Sequence, residues 1–294
     1  MGRVCDFLTR ESIMFQWNAK RIEGKTVSVY LEFARKSFLR AGAYRFEVWT
    51  RLFANLTYFL MWGSIWYALY QSTDGVNGES SFRQVLTYVA LSQMIQTLHA
   101  AGTPIYEIQH KVRKGDIALE LMRPYDFPLR SLFGDLGNIG FYLITAVLPV
   151  YSILFVFLHD QLPFAPGELH RWGWFLLAFV LSYLVRYAID LCFGLLTFWL
   201  IETGGIGEIV YFALQLLSGQ VIPLWFFPEW LLTVAAWLPF QAIYYIPNAI
   251  LLGRIPDGQL LNVIGVQVFW VVFMLSLLRI TWHQAVKRVI IQGG

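Results

Sequence analysis

Long apolar runs alternate with short polar or basic segments along this chain, and the runs have bilayer length. A membrane-spanning helix needs roughly 20 mostly apolar residues. Six stretches meet that need: 50–71, 83–103, 136–158, 172–200, 206–226 and 259–281. Gln93, Gln96, Thr97 and His99 dilute the second, which suits a segment facing protein or a water-filled path instead of lipid. Over 26–46, Val27, Leu31, Ala34, Phe38 and Ala41 share one helical face, with Glu32, Arg35, Lys36 and Arg40 largely opposite. That pattern predicts a basic amphipathic helix, lying in the membrane interface or packed on a partner as a solvated helix. Over 227–258 the chain is apolar, but Pro228, Pro239, Pro247 and Pro256 cut it into pieces of about ten residues. Such pieces are too short to span, so 227–246 is expected to be re-entrant or interfacial. The predicted fold is an all-α integral membrane protein, a single domain over 1–294, with six spans and broken helices before the last.

Composition agrees. Of 294 residues, 57% are hydrophobic and 14% charged, with a mean hydropathy of +0.54. Soluble domains carry about 25% charged residues, so a soluble or disordered chain is excluded. Residues 1–48 are polar and basic and show no signal-peptide pattern. Two cysteines, Cys5 and Cys192, make neither a disulfide framework nor a thiolate metal site.

Charge then orients the spans. Residues 1–51 hold ten Lys and Arg, the loop between spans two and three holds five (Lys111, Arg113, Lys114, Arg123, Arg130), and the C-terminal end adds Arg279, Lys287 and Arg288. The opposite side holds Arg83, Arg171 and Arg254. Eighteen against three is a strong positive-inside bias, and an even number of spans puts both termini in the cytoplasm.

Candidate chemistry is sparse. Arg186 and Asp190 stand i, i+4 on one face of span four, where they can neutralise each other. An intramembrane pair of this kind either marks a path or partner, or fixes helix packing. Asp135 and Glu202 are expected at cytoplasmic ends as solvated carboxylates. Glu23-Gly24-Lys25-Thr26 ends like a phosphate-binding loop, but Ala19 stands where its first glycine is required. Ser218 has no positioned base and reads as a packing residue. Histidines 99, 110, 159, 170 and 283 lack ligand spacing, so no metal site is expected. Asn55-Leu56-Thr57 is a sequon inside span one and therefore void.

The cytoplasmic loop after span two is richer. In Lys114-Gly115-Asp116-Ile-Ala-Leu-Glu120-Leu-Met-Arg123-Pro124, Gly115 is a natural helix stop and Asp116 a natural cap for the next turn. A small helix closed by Pro124 follows. It is either a basic loop that holds topology or a docking element for a soluble partner.

This run, with the Tyr-Asp-Phe-Pro-Leu that follows, resembles the segment after the second span of type 2 ATP-binding cassette transporter permeases. It is closest to a bacterial branch whose permease genes occur in pairs beside an ATPase. Ser218-Gly-Gln-Val-Ile-Pro223, Pro228-Glu-Trp-Leu, Leu238-Pro-Phe240, Pro247 and Gly253 look like that branch's final motif. The resemblance implies a half-transporter of the cytoplasmic (inner) membrane. In it, two permeases meet, identical or sibling, and each rests on a subunit of a cytoplasmic ATPase dimer that binds ATP and Mg. This chain would bind no cofactor and no nucleic acid, and would contact membrane lipids. Residues 114–124 would be the coupling helix and 26–46 the connecting helix. Spans one, two and five would line the path, and the aromatic segment 225–246 would form part of an outer gate.

Trp225, Phe226, Trp230, Trp237, Tyr244 and Tyr245 cluster before span six. They suit a hydrophobic or amphipathic export cargo, or equally an interfacial aromatic belt. Competing functions are an ion-gradient-driven secondary transporter, which would need buried ion-coordinating sites, and a non-transport membrane scaffold. A membrane enzyme would need an acid/base or metal cluster, and none is found.

Overall fold

The computed structural model describes residues 26–43, 45–72, 81–102, 104–163, 167–200 and 204–292. Cys5, the Glu23–Lys25 sequence and Glu202 lie outside them. The described residues are helical, with no strand among them. Helix α1 spans Thr26–Ala43, α2 Arg45–Ser72 and α3 Phe82–His99. A short hairpin follows, α4 Pro104–Lys114 and α5 Ile117–Leu121. Next come α6 Phe127–Tyr142, α7 Leu148–Phe157, α8 His170–Leu195 and α9 Gly204–Leu217. The broken region holds α10 Glu229–Ala236 and α11 Tyr245–Leu251. Helix α12, Leu260–Gln292, ends the described chain.

Among the described residues, three helical stretches are long and apolar enough to cross a membrane: Phe127–Phe157, His170–Phe198 and Asp257–Arg288. At 1.5 Å per residue each is about 45 Å long, beyond the ~30 Å hydrocarbon core. Large apolar side chains stand exposed along them, among them Val156, Phe157, Leu261, Phe269 and Val272. Contiguous apolar surface of this kind requires lipid or a partner against it.

The contacts run the helices end to end in alternation. At one end Arg51 Nη1 donates to the Ala100 carbonyl (2.9 Å), Arg279 pairs with Asp126 (2.5 Å), and Phe127 stacks on Trp282. At the other, Arg83 pairs with Asp160, Arg171 with Asp257, and Arg254 donates to Gln84 Oε1 (2.7 Å). The three arginines on the sparse side of the charge count therefore occupy one end of the bundle. The basic loop after α3 occupies the other.

Several elements depart from the sequence pattern. The helix expected over 206–226 closes at Leu217, because Gly219 turns the chain back at φ 76°, a conformation that costs a side-chain-bearing residue 1–2 kcal/mol. The run 136–158 starts earlier, at Phe127, capped by Asp126 through Leu129 N (3.1 Å). It widens to a π turn over Leu143–Val147 just before Pro149, which supplies no amide donor. Pro247 does not break its piece. It sits in the first turn of α11, where a missing N–H leaves no bond unmade.

Helix α1 packs on α6, and the face it buries is rotated from the expected one. Tyr30 is buried and meets Phe133 (centroids 5.5 Å), Phe33 meets Tyr125 (5.4 Å), and Phe38 meets Phe141 (5.6 Å). Val27 and Leu31 are instead exposed, with Arg35, Lys36 and Arg40. Two rings at positions 30 and 33 bury more area than the two aliphatic side chains. The approach is close enough that a Cβ on Gly137 would collide with the backbone of Ala34.

Candidate functional site

The loop after α3 folds as a helical hairpin held by charges. α4 ends at Lys114, and Gly115 turns the chain at φ 77°, as the sequence expects. Asp116 does not cap α5. It is itself helical (φ −65°, ψ −15°), and its side chain makes no capping bond. Lys111 takes over the work of closing the hairpin. Its Nζ lies 2.5 Å from Glu120 Oε1 and 3.1 Å from Glu107 Oε1. Arg130, on α6, pairs with Glu107, and Tyr125 donates its hydroxyl to Glu120 Oε2 (2.5 Å).

Two carboxylates and two cations thus neutralise each other in a partly dehydrated cluster. Burial pushes the Glu107 carboxyl up, but the Arg130 guanidinium and Lys111 ammonium outweigh it and hold it below the ordinary range. Burial likewise opposes ionisation of Glu120, and hydrogen bonds from Lys111 and Tyr125 reverse the direction. Lys111 and Arg130 also lie over the Phe127 ring at 5.1 and 5.8 Å, and Arg130 lies over Phe33 at 5.7 Å.

The cluster joins three distant helices to the hairpin. Asp126 N donates to the Tyr30 hydroxyl of α1 (3.1 Å). Asp126 also accepts from Arg279 of α12, and Trp282 stacks on Phe127 at the foot of α6 (5.4 Å). Ile108 of α4 is fully buried against α8, in one apolar cluster with Leu191 and Leu195. The hairpin and the residues that follow it are therefore in contact with α1, α6, α8 and α12.

The predicted residues of 114–124 divide. Lys114, Gly115, Asp116, Arg123 and Pro124 are exposed on the outer side of the hairpin, and Arg123 Nη1 reaches the Tyr125 hydroxyl (3.1 Å). Glu120 is only 8% exposed and faces inward. Sequence reasoning passed over Leu119 (60% exposed) and Met122 (82% exposed), which stand outward beside those charges. It also passed over Tyr30, Glu107, Lys111 and Arg130 as one group. The i, i+4 spacing of Glu107 and Lys111 was a usable signal, whereas the reach to Arg130 was not.

In α1, expected to be a connecting helix, Glu32 and Arg35 pair with each other at 3.1 Å on the exposed side, where Lys36 and Arg40 also lie. Arg186 and Asp190 form the expected pair, Nε to both carboxylate oxygens at 2.8 Å. Arg186 lies over the Tyr211 ring of α9 at 5.7 Å, so the pair faces protein. Asp135, expected to be solvated, is buried with the Tyr183 hydroxyl 3.5 Å away. Ser218 is buried and donates to the Gln215 carbonyl, as a packing residue does.

The aromatic residues before α12 are only partly brought together. Trp225 packs edge-on to Tyr88 (4.9 Å), beside Phe226 and Tyr245, and Arg254 lies 4.6 Å over its ring. Phe226 also meets Trp66 of α2. Tyr244 is fully buried near His99 and donates to Gln96 Oε1. Trp230 and Trp237, at either end of α10, point outward at 68% and 80% exposure. Pro239 and the turn after it separate them from Tyr244.

Helices α2, α3 and α9, with the turn after α9, border an open cleft of about 220 Å³ whose lining includes Arg51, Asn55, Gln93, Gln96, Tyr211 and Gln220. Among the described residues no group of three His, Cys, Asp or Glu side chains has metal-holding geometry.

No curated protein was found to match the chain. A family model described as "ABC-2 family transporter protein" matches residues 52–293, from the first turns of α2 to the end of α12. With that match over most of its length, this helical, membrane-embedded chain belongs to the ABC-2 transporter family, the type 2 permeases of ATP-binding cassette transporters.

Proposed function

We propose that this chain is one permease half of an ATP-driven exporter, moved by a separate cytoplasmic ATPase dimer that binds ATP and Mg. The observation that carries the reading is the ion-paired hairpin α4–α5. Its inner side ties α1, α6, α8 and α12 together, while Leu119, Met122, Arg123 and the Lys114–Asp116 turn are exposed outside. A rigid element with an apolar, charge-rimmed tip suits a cleft of a soluble partner. Helix α1, docked beside it through Tyr30 and Phe33, would move with it as a connecting helix in the interface.

In this reading six segments cross the inner membrane and both termini face the cytoplasm, on the side of the eighteen basic residues. A second permease, identical or sibling, covers the exposed apolar side of α2, where Phe46, Trp49, Phe53, Leu56 and Leu60 are uncovered. The remaining apolar surface meets lipid. The cargo is a hydrophobic or amphipathic compound exported between the two permeases.

Tagged protein, solubilised gently and pulled down, is expected to bring an ATPase subunit whose activity is measurable in the eluate. Leu119→Asp with Met122→Asp is expected to release that subunit and leave the permease monodisperse. Purification of the wild-type chain free of any ATPase would reject the reading and move gradient-driven transport ahead.

A further inference from the structure

Helix α12 is longer than a bilayer needs, and its surplus lies at the basic end. Its 33 residues span about 50 Å at 1.5 Å each, against ~40–45 Å for a bilayer with its headgroups. At the far end Asp257, just before the helix, is held by Arg171 (2.5 Å). At the basic end Arg279 pairs with Asp126 at the foot of α6 (2.5 Å). The helix then continues to Gln292, about 20 Å past that pair.

This extension is seated against the hairpin. Trp282 stacks on Phe127 (5.4 Å). Trp282 and Ala285 are buried in one apolar cluster with Ile108 and Ile117 of the hairpin, and Val286 packs against it. With 3.6 residues per turn, His283, Gln284, Lys287 and Arg288 fall on the opposite side, and all four are exposed. The end of α12 and the exposed side of the hairpin thus form adjoining parts of one surface.

Charge gives that surface a sign. Its inner cations are committed: Lys111 to Glu107 and Glu120, Arg130 to Glu107, and Arg279 to Asp126. Among the described residues Lys287 and Arg288 form no ion pair. Two cations held on a rigid helix attract an acidic surface. The positive-inside bias asks for Lys and Arg within ~15–20 residues of a span end and is indifferent to the face they occupy. Here both share the face turned away from the bundle. Lys287 stands about 12 Å along the helix beyond Arg279, more than the ~5–8 Å depth of one headgroup layer. That position favours a soluble protein over lipid.

We propose that the end of α12 is a second seat for the soluble ATPase, an inference that rests on the permease reading above. Lys287 and Arg288 meet an acidic patch of the ATPase while Leu119 and Met122 enter its cleft. The apolar pair holds the complex, and the charges at its rim speed and orient its formation. The test uses full-length permease in phosphatidylcholine nanodiscs with the ATPase subunit recovered alongside the wild-type chain. Association and dissociation rates are measured across salt concentration. Lys287→Glu with Arg288→Glu is expected to slow association about tenfold at low salt and to leave dissociation within about twofold of wild type. It is also expected to remove the fall in association rate that salt imposes on the wild type. Lys287→Arg with Arg288→Lys is expected to associate as wild type does. Wild-type association in the double Glu variant would overturn the proposal and leave the permease reading intact, because the wild-type complex still forms. A defect confined to nanodiscs containing phosphatidylglycerol would overturn it as well, and assign the two cations to anionic lipid. A wild-type chain that binds no ATPase would remove the permease reading and this proposal together.

Discussion

Lys111 reaches across the turn at Gly115 to Glu120, Nζ to Oε1 at 2.5 Å, while holding Glu107 on its own helix at 3.1 Å. One ammonium thereby spans both arms of the α4–α5 hairpin, and α5, too short to persist alone, keeps its place. The side chains that set the hairpin's shape are thus different from those it presents. Glu120 belongs to the first group and Leu119 and Met122 to the second.

Glu120→Ala should therefore loosen the hairpin from within. Removing the carboxylate leaves Lys111 and the Tyr125 hydroxyl short of a partner, a loss of about 1.5–3 kcal/mol for bonds to a charged group. Hydrogen exchange of the 115–123 amides should speed up markedly, while the amides of α8 stay protected. Unchanged exchange over 115–123 would show that packing of Ile117, not the ion pair, holds the turn.

The same cluster predicts a pH dependence. Glu107 and Glu120 both have folded-state values below the ordinary 4.5. A depressed carboxylate contributes stability that is fully present above its unfolded value and lost as pH falls through the folded one. The melting temperature of wild-type protein should fall as pH drops from 5 through 4.5 and below. The gap between wild type and a Glu107→Gln/Glu120→Gln variant should close over the same window. A gap constant with pH would rule out an electrostatic origin.

Gly137 should tolerate no side chain. A Cβ there meets the backbone of Ala34, whereas one at Gly134 comes no nearer than 3.4 Å to the Ser37 hydroxyl. Gly137→Ala is expected to cost about 1–3 kcal/mol by overpacking, or to lift α1 off α6 and open it to protease. Gly134→Ala should stay close to wild type in both assays. Equal behaviour of the two variants would contradict the close approach.

Arg186 and Asp190 separate packing from transport. Asp190→Asn leaves a largely buried guanidinium without its counter-charge and should lower stability by about 3 kcal/mol. Arg186→Met with Asp190→Leu should regain most of that in thermal melts, because well-packed apolar replacements of a buried pair are near neutral. Retained ATP-driven transport in the double variant would make the pair a packing device. Loss of transport at wild-type stability would make it part of the path.

How much of this was legible in the sequence differs by element. Apolar runs, the turn at Gly115 and the segregation of basic residues are local or additive properties; the structure carries the turn and the segregation, and three of the apolar runs stand in helices long and apolar enough to cross a membrane. The buried face of α1 was misjudged, because Val27 and Leu31 match the helical period as well as Tyr30 and Phe33 do. Only the rings of Phe133 and Tyr125, about a hundred residues away, select between the faces. The aromatic residues before α12 are close in sequence, but Pro228, Pro239 and the turns around them leave Trp225, Phe226 and Tyr245 in contact and set Trp230 and Trp237 apart. Trp237 ends outside and Tyr244 in the core.

Composition and periodicity were enough to establish a helical membrane protein, its basic end and the hairpin after α3, because hydropathy and turn preference act over a few residues. The partners of Lys111, the cleft at Gln220 and the return of the chain at Gly219 came from packing. Each depends on which distant helix lies alongside, and a side chain's polarity does not encode its neighbour. Asn55 and Gln93 look like flaws in apolar helices until α2 and α3 meet, and their bond then joins the two helices.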